Sequence, residues 1–256
     1  SKEELLQMDV TTPGNRECLD TLQSILAFRY PYEADVTLHT KMSVSELKKL
    51  GQDADDWDSL YQPVVPEFLR EDTPASHWVS KTGQNYGASR GTAYHRALEL
   101  LDFTTIAARA DVTTALQSIL DNKKMEEQDW KMLDGDVIWQ FLTSPLGRRM
   151  KAAQEKGLCH REQQFVMGIP AAEMGFANSE ELVLVQGIID AYLEEEQGLI
   201  LIDYKTDKVS PGQEDYLVKR YKSQLDYYQR ALEQMTGKLV AERLIYSITL
   251  QKEIVL

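Results

Sequence analysis

The sequence predicts a mixed α/β (α+β) fold. Extra helices lie on the N-terminal side of a core that runs helix, three-stranded antiparallel meander, helix, strand. Three observations carry this. Apolar residues keep a helical period up to about residue 155, the period drops to two from Arg161, and a long amphipathic stretch, Tyr216 to Met235, separates the last two strands.

After Pro13-Gly14-Asn15, residues Leu19, Leu22, Ile25, Leu26 and Arg29 fall at helical spacing, and Tyr30-Pro31 closes the segment. Ser43 and Glu46, within Lys41 to Leu50, form a capping box that opens a short helix. Gly51 to Pro74 gathers Asp53, Asp55, Asp56 and Asp58 with three prolines, as suits a solvated connection. Ser89 to Phe103 predicts a helix with Tyr94, Leu98 and Leu101 on one stripe. That spacing leaves His95 on the neighbouring flank beside Arg96 and Glu99. Two or three helices follow through residue 155, one of them with Ser144 as N-cap and Pro145 at its first position.

Glu162 to Ile169 alternates, with Phe165, Met167 and Ile169 on one face, as in a half-buried strand. Leu182–Asp190 and Leu199–Lys205 are denser apolar runs, expected of strands inside a covered sheet, joined by a four-residue loop, Glu195 to Gly198. Tyr216 to Met235 places Tyr221, Leu225, Tyr228 and Leu232 on one helical stripe and stops at Gly237. A final strand, Leu244 to Thr249, then lies parallel to its predecessor, because a helical crossover intervenes. Residues 1–88 accordingly read as a helical and loop lead-in, and 89–256 as the domain that carries the chemistry.

Composition narrows the function. Asp190 interrupts the longest apolar stretch, so no segment suits a membrane span. Two cysteines, Cys18 and Cys159, exclude a disulfide scaffold and any zinc or iron–sulfur site built from four cysteines, and they fit the reducing cytoplasm. The start, Ser1-Lys2-Glu3-Glu4, has no signal-peptide character and no initiator Met, as in a processed chain or a piece of a longer one. A net charge of −13 argues mildly against nonspecific nucleic-acid binding, yet a metal-dependent enzyme needs surplus carboxylates. Thr236-Gly237-Lys238-Leu239 lacks the upstream glycine and the hydroxyl of a nucleotide-binding loop, so ATP chemistry is not expected of these residues.

The hairpin draws the carboxylates together. If it closes with Glu194 opposite Leu199, Asp190 faces Asp203 and Ile188 faces Lys205, with Cβ atoms about 5 Å apart. Like charges so placed repel unless a cation binds both. Alternation puts Asp203 and Lys205 on one face and turns the Tyr204 side chain away, leaving its backbone carbonyl near the carboxylates. An ordinary Asp–Lys ion pair at a strand end is the plainer account, but Asp203 follows Leu-Ile-Leu-Ile, where an isolated charge is costly.

Gly91-Thr-Ala-Tyr-His95, Gln186-Gly-Ile-Ile-Asp190, Asp203-Tyr-Lys-Thr206 and Gln224-Leu-Asp-Tyr-Tyr228 together resemble the ordered motifs of RecB-type nucleases in the PD-(D/E)XK superfamily. Ser43-Val-Ser-Glu-Leu-Lys48, Ser144-Pro-Leu-Gly-Arg-Arg149 and Val209 to Ile248 look most like the C-terminal nuclease domains of AddA-type helicase–nuclease subunits of bacterial AddAB complexes. The resemblance implies a restriction-endonuclease-like core and a DNA exonuclease that cuts the 3′-ended strand during double-strand break repair, in the bacterial cytoplasm at the nucleoid. It implies Mg²⁺ or Mn²⁺ held by His95, Asp190, Asp203 and the Tyr204 carbonyl, with Lys205 serving the attacking water. The same resemblance places ATP-driven unwinding in a helicase segment that precedes this chain, implies an AddB-like partner in a heterodimer, and requires no iron–sulfur cluster.

Gln224 and Tyr228, four apart on one helix face, are expected to support the site or face DNA, although Tyr228 also lies on the core stripe. Arg90, Arg96, Arg148, Arg149, Lys219, Arg220 and Lys222 form local basic clusters of the kind that contact phosphates, and a solvated helix face explains each equally well. Glu162 lies either near the metal or exposed on its strand, and His39, His77 and His160 sit in no comparable motif. A catalytically silent nuclease-like module that binds DNA or a partner is the alternative from another class.

Overall fold

The computed structural model describes residues 13–28, 35, 38–50, 86–174 and 179–256. The expected connection over 51–74, the helix end at Tyr30-Pro31, and His77 lie outside them. The chain divides into two compact units, Ser1–Thr40 with Ile169–Val183, and Lys41–Gly168 with Leu184–Leu256. In the first, helix α1 (Pro13–Leu26) forms where the spacing predicts it, with Ile25 and Leu26 exposed.

The second unit opens with a short strand, β1 (Lys41–Ser43), and a helix, α2 (Val44–Leu50). The capping box is present: the Ser43 N–H donates to Glu46 Oε2 at 2.7 Å and the Glu46 N–H to Ser43 Oγ at 3.2 Å. Next comes α3 (Tyr86–Leu100), with Phe103 in a separate turn of 3₁₀ helix capped by Asp102 rather than at the helix end. Four helices follow instead of two or three: α4 (Arg109–Asp121), α5 (Glu127–Trp130), α6 (Gly135–Thr143) and α7 (Pro145–Glu155). The Ser144 hydroxyl caps α7, accepting from the Gly147 N–H at 3.0 Å. Then come β2 (Cys159–Pro170), β3 (Leu182–Glu195), β4 (Gly198–Lys205), α8 (Glu214–Thr236), β5 (Val240–Ser247) and β6 (Lys252–Val255). Gly237 ends α8 at φ 70°, a left-handed cap that suits glycine.

The sheet runs β1-β3-β4-β5-β6, with β2 also paired to β3. β4 and β5 are parallel, as the crossover through α8 requires, and β5 begins four residues before the expected Leu244. Two strands were not foreseen: β1, parallel to β3, and β6, antiparallel to β5. The hairpin closes with Glu194 opposite Leu199, but Glu195 also pairs with Gly198, so the loop is a two-residue turn and not four residues.

Alternation along β4 sorts its side chains into two layers. Ile200, Ile202 and Tyr204 join Tyr94, Leu98, Phe141, Leu146 and Met150 in an apolar core beneath the N-terminal helices. On the other side α8 packs on β4, β5 and α2, burying Leu217, Tyr221, Leu225, Tyr228 and Leu232. The central strand β4 is therefore covered on both faces, and Asp203 and Lys205 at its end are buried.

Candidate active site

The paired ladder of β3 and β4 stops at Ala191 opposite Ile202. The expected facing of Asp190 with Asp203 and of Ile188 with Lys205 lies beyond its last pair: the strands keep the expected register but separate before Asp190 is reached. A buried backbone that leaves a ladder needs other partners. Tyr204 finds them in side chains: its N–H donates to Asp190 Oδ2 at 2.7 Å, and its carbonyl oxygen lies 3.0 Å from His95 Nε2. The phenol points the opposite way, edge-on to Phe141 with centroids 5.7 Å apart and its hydroxyl 3.4 Å from Met150 Sδ.

Around this opening the elements converge. α3 supplies His95, whose Nδ1 is 3.2 Å from Asp190 Oδ1. The end of β4 supplies Asp203 and Lys205, paired at 2.6 Å and both buried. α8 supplies Gln224, which donates to Asp203 Oδ1 at 3.2 Å and to the Tyr228 hydroxyl at 3.0 Å. Tyr228 packs edge-on against Phe165, and both rings lie over Gly187, where an added Cβ would come within 2.7 Å of Phe165. His95, Asp190, Asp203, Tyr204, Lys205, Gln224 and Tyr228 thus meet in one place.

Glu162 joins them. In phase with the exposed Gln164 and Val166, it would face outward from a regular β2, but it adopts φ 50°, a strained value for a non-glycine that costs on the order of 1–3 kcal/mol. Its carboxylate lies with the donor atoms of His95 and Asp190 in a group whose members are all within 4.8 Å of one another. Of the two places the sequence left open for Glu162, the structure takes the one beside His95 and Asp190, and no sequence feature marks the positive φ.

The electrostatics are those of crowded anions. Burial, helped by Asp190, pushes Glu162 up to about 7. Burial likewise raises Asp203 to about 6 despite Lys205 beside it. Burial also works against ionised Asp190, but His95, Lys205 and the Tyr204 N–H outweigh it and hold its carboxyl below the ordinary value. For His95 burial opposes the charge, and Asp190 more than compensates, so its pKa is raised. His95, Glu162 and Asp190 offer imidazole nitrogen and carboxylate oxygen within 4.8 Å of one another, with the Asp203–Lys205 pair beside them, and this donor set fits a hard divalent cation. The 3.0 Å between His95 Nε2 and the Tyr204 oxygen is also about the separation of two adjacent ligands on an octahedral ion of Mg²⁺ size.

The basic residues divide. Arg96 stays near the site on α3 but donates to Glu99 at 2.7 Å and to the Lys124 carbonyl at 3.2 Å. Lys222, two residues from Gln224, projects from another side of α8 and pairs with Asp226. Arg149 is engaged with Glu195 and Glu242 at the closed end of the hairpin. His160 is also at that end, bonded to Glu194 and stacked on Tyr192.

A helix and a mixed sheet that gather Asp190, Asp203-x-Lys205 and a helical histidine around one strand end are the core of a nuclease fold. A family model of the PD-(D/E)XK nuclease superfamily matches residues 67–254, and the chain belongs to that superfamily. Among individual proteins, it is 31% identical to the A-type subunit of an ATP-dependent helicase/nuclease from Lachnoclostridium phytofermentans, over 90% of this chain and 22% of that relative. It is 36% identical to the protein of that name from Acetivibrio thermocellus over 86% of this chain and 17% of the relative. For that from Geobacillus kaustophilus the identity is 34%, over 87% and 18%. The chain thus spans about a fifth of the length of the curated relatives it matches. Nucleases of this superfamily use divalent metals, and no helix among the described residues is long and apolar enough to cross a membrane.

Proposed function

We propose that this chain is the exonuclease domain of a bacterial helicase–nuclease, hydrolysing phosphodiester bonds of DNA with Mg²⁺ or Mn²⁺ during end resection in double-strand break repair. The observation that carries it is the convergence of His95, Asp190, Asp203 and Lys205 on the main chain of Tyr204. Residues 89–256 hold this machinery in our reading, and 1–88 lead into it. The relatives' name supports a motor elsewhere in the full protein, ATP-driven, and a second, AddB-like subunit. Cytoplasmic work at the nucleoid and cutting of the 3′-ended strand belong to the same reading.

His95, Asp190, Asp203 and the Tyr204 carbonyl would hold the ion, with Glu162 as a further carboxylate. When bound, the ion supplies Lewis-acid polarisation of the scissile phosphate and acidifies a water. The His95 ring is held between two oxygens, Asp190 Oδ1 beside Nδ1 and the Tyr204 carbonyl beside Nε2. Asp203 fixes the Lys205 ammonium, and Gln224 fixes Asp203. Lys205 so held orients the attacking water and stabilises charge developing on the phosphate. The water oxygen bonds to phosphorus and gives up a proton, the bond to the 3′ oxygen breaks, and that oxygen takes up a proton, leaving a 3′ hydroxyl and a 5′-phosphate.

The test is incubation of end-labelled single-stranded DNA with Mg²⁺, Mn²⁺ or EDTA, beside Asp203→Ala and Lys205→Ala. Metal-dependent cutting that both variants lose is the expected result. Cutting that survives EDTA or either substitution refutes this site.

A further inference from the structure

Helix α8 carries Tyr216, Arg220, Gln224 and Tyr228 four residues apart, so they form one stripe with about 6 Å between successive members. The inner end of the stripe is the candidate centre, through the bond from Gln224 to Asp203. The outer end is open, since Tyr216 is 45% exposed. Between them cations and rings alternate. The Lys205 ammonium lies 4.5 Å from the Tyr221 centroid, and the Arg220 guanidinium lies 5.8 Å from the Tyr221 ring and 5.6 Å from the Tyr216 ring. Among the described residues, Arg220 makes one hydrogen bond, to the Tyr216 hydroxyl. Asp207 forms a loose ion pair with the guanidinium, 3.8 Å from Nε and beyond hydrogen-bond reach, and accepts from the Tyr221 hydroxyl, while the Arg220 side chain remains 18% exposed. A guanidinium with donors to spare beside an exposed ring offers a phosphate and a base their two usual modes of binding.

We propose that this stripe is a track for single-stranded DNA, in which Arg220 takes a backbone phosphate next to the scissile one and Tyr216 stacks on the neighbouring base. The inference rests on the nuclease reading above and assigns it two positioning residues outside the centre: a base paired in a duplex already has both faces stacked, so only an unpaired base can lie on Tyr216. In a chain of net charge −13, stacking supplies affinity that charge alone does not.

Fluorescence anisotropy with labelled oligothymidylate and with a duplex, both in EDTA so that binding is read apart from cleavage, tests it. Tyr216→Ala weakens single-strand binding about tenfold, leaves duplex binding unchanged, and is rescued by Tyr216→Trp. Arg220→Gln lowers the slope of log K against log salt by about one. Moving an abasic site along the oligonucleotide gives one sensitive position in wild type that becomes silent in Tyr216→Ala. Equal binding by Tyr216→Ala and wild type, or equal loss for single strand and duplex, overturns the track. Cleavage of the same oligonucleotide by wild type in Mg²⁺ separates the two ideas: cutting with no Tyr216 effect refutes the track alone. A track without cutting refutes the nuclease reading alone, and a wild type that neither binds nor cuts refutes both.

Discussion

The two ends of the β3–β4 hairpin are made of the same strands and treat charge in opposite ways. At the closed end Glu194 meets His160 and Lys238, and Glu195 meets Arg149, all of them partly exposed. Opposite charges are matched there, and water screens what is left. At the open end Asp190 gathers Glu162 and His95, with the buried Asp203–Lys205 pair beside them. Asp190, Asp203 and Lys205 are buried and His95 and Glu162 only partly exposed, and folding alone gives no reason to collect like charges where solvent screens so little. The difference separates residues that hold the hairpin shut from residues kept in place against the stability of the fold.

The sharpest way to break this contrast is to remove charge at the open end. Asp203→Asn is expected to lower single-turnover cleavage of DNA by about a hundredfold to a thousandfold. A rate within tenfold of wild type would leave the convergence without a catalytic meaning. Next in size is a pH effect on stability. Glu162 is raised from 4.5 to about 7 in the fold, so as pH climbs through this window the unfolded chain loses its proton first and the fold is progressively destabilised. Relative to Glu162→Gln, metal-free wild type should lose at most about 3 kcal/mol between pH 4.5 and 7 and no more above it. Urea titrations of both proteins in EDTA measure this, and a difference that does not change with pH would contradict the crowding.

Gly187→Ala should cost about 1–3 kcal/mol, because the methyl must displace the Phe165 or Tyr228 ring. Loss of cleavage beyond the loss of fold, read at a temperature where the variant is fully folded, would show that Tyr228 matters through Gln224. At the closed end, Arg149→Ala should cost about 1 kcal/mol or less and leave cleavage within twofold of wild type. A drop in activity there would erase the distinction between the ends.

Much of the open end was legible in the sequence because period-two alternation and one turn fix a register. Glu194 opposite Leu199 suffices to bring Asp190 near Asp203. The splay beyond Ala191 was not legible, since nothing in a strand's apolar pattern says where its ladder ends. Glu162 stayed open between the metal and the exposed face for a related reason: alternation favours the exposed face, and one residue at positive φ overrides the pattern. β1 has three residues and β6 four, too few for periodicity to register. Arg96 and Lys222 carry the right charge for DNA, but their acidic neighbours Glu99 and Asp226 are one helical turn away and already engage them.

Tyr204 offers the candidate ion an atom that the genetic code cannot delete. Its carbonyl is the same in all twenty residues, and its phenol is occupied with Phe141 and Met150 in the apolar layer. Alanine scanning of this strand would therefore score position 204 as a packing residue and pass over its oxygen. Conversely, enlarging or shrinking Phe141 moves that oxygen without touching any charged group. A survey for loss of nuclease activity should return hits deep in the hydrocarbon interior, and an ester in place of the 204–205 amide, which weakens the carbonyl and spares the side chains, is the substitution that would tell the two roles apart.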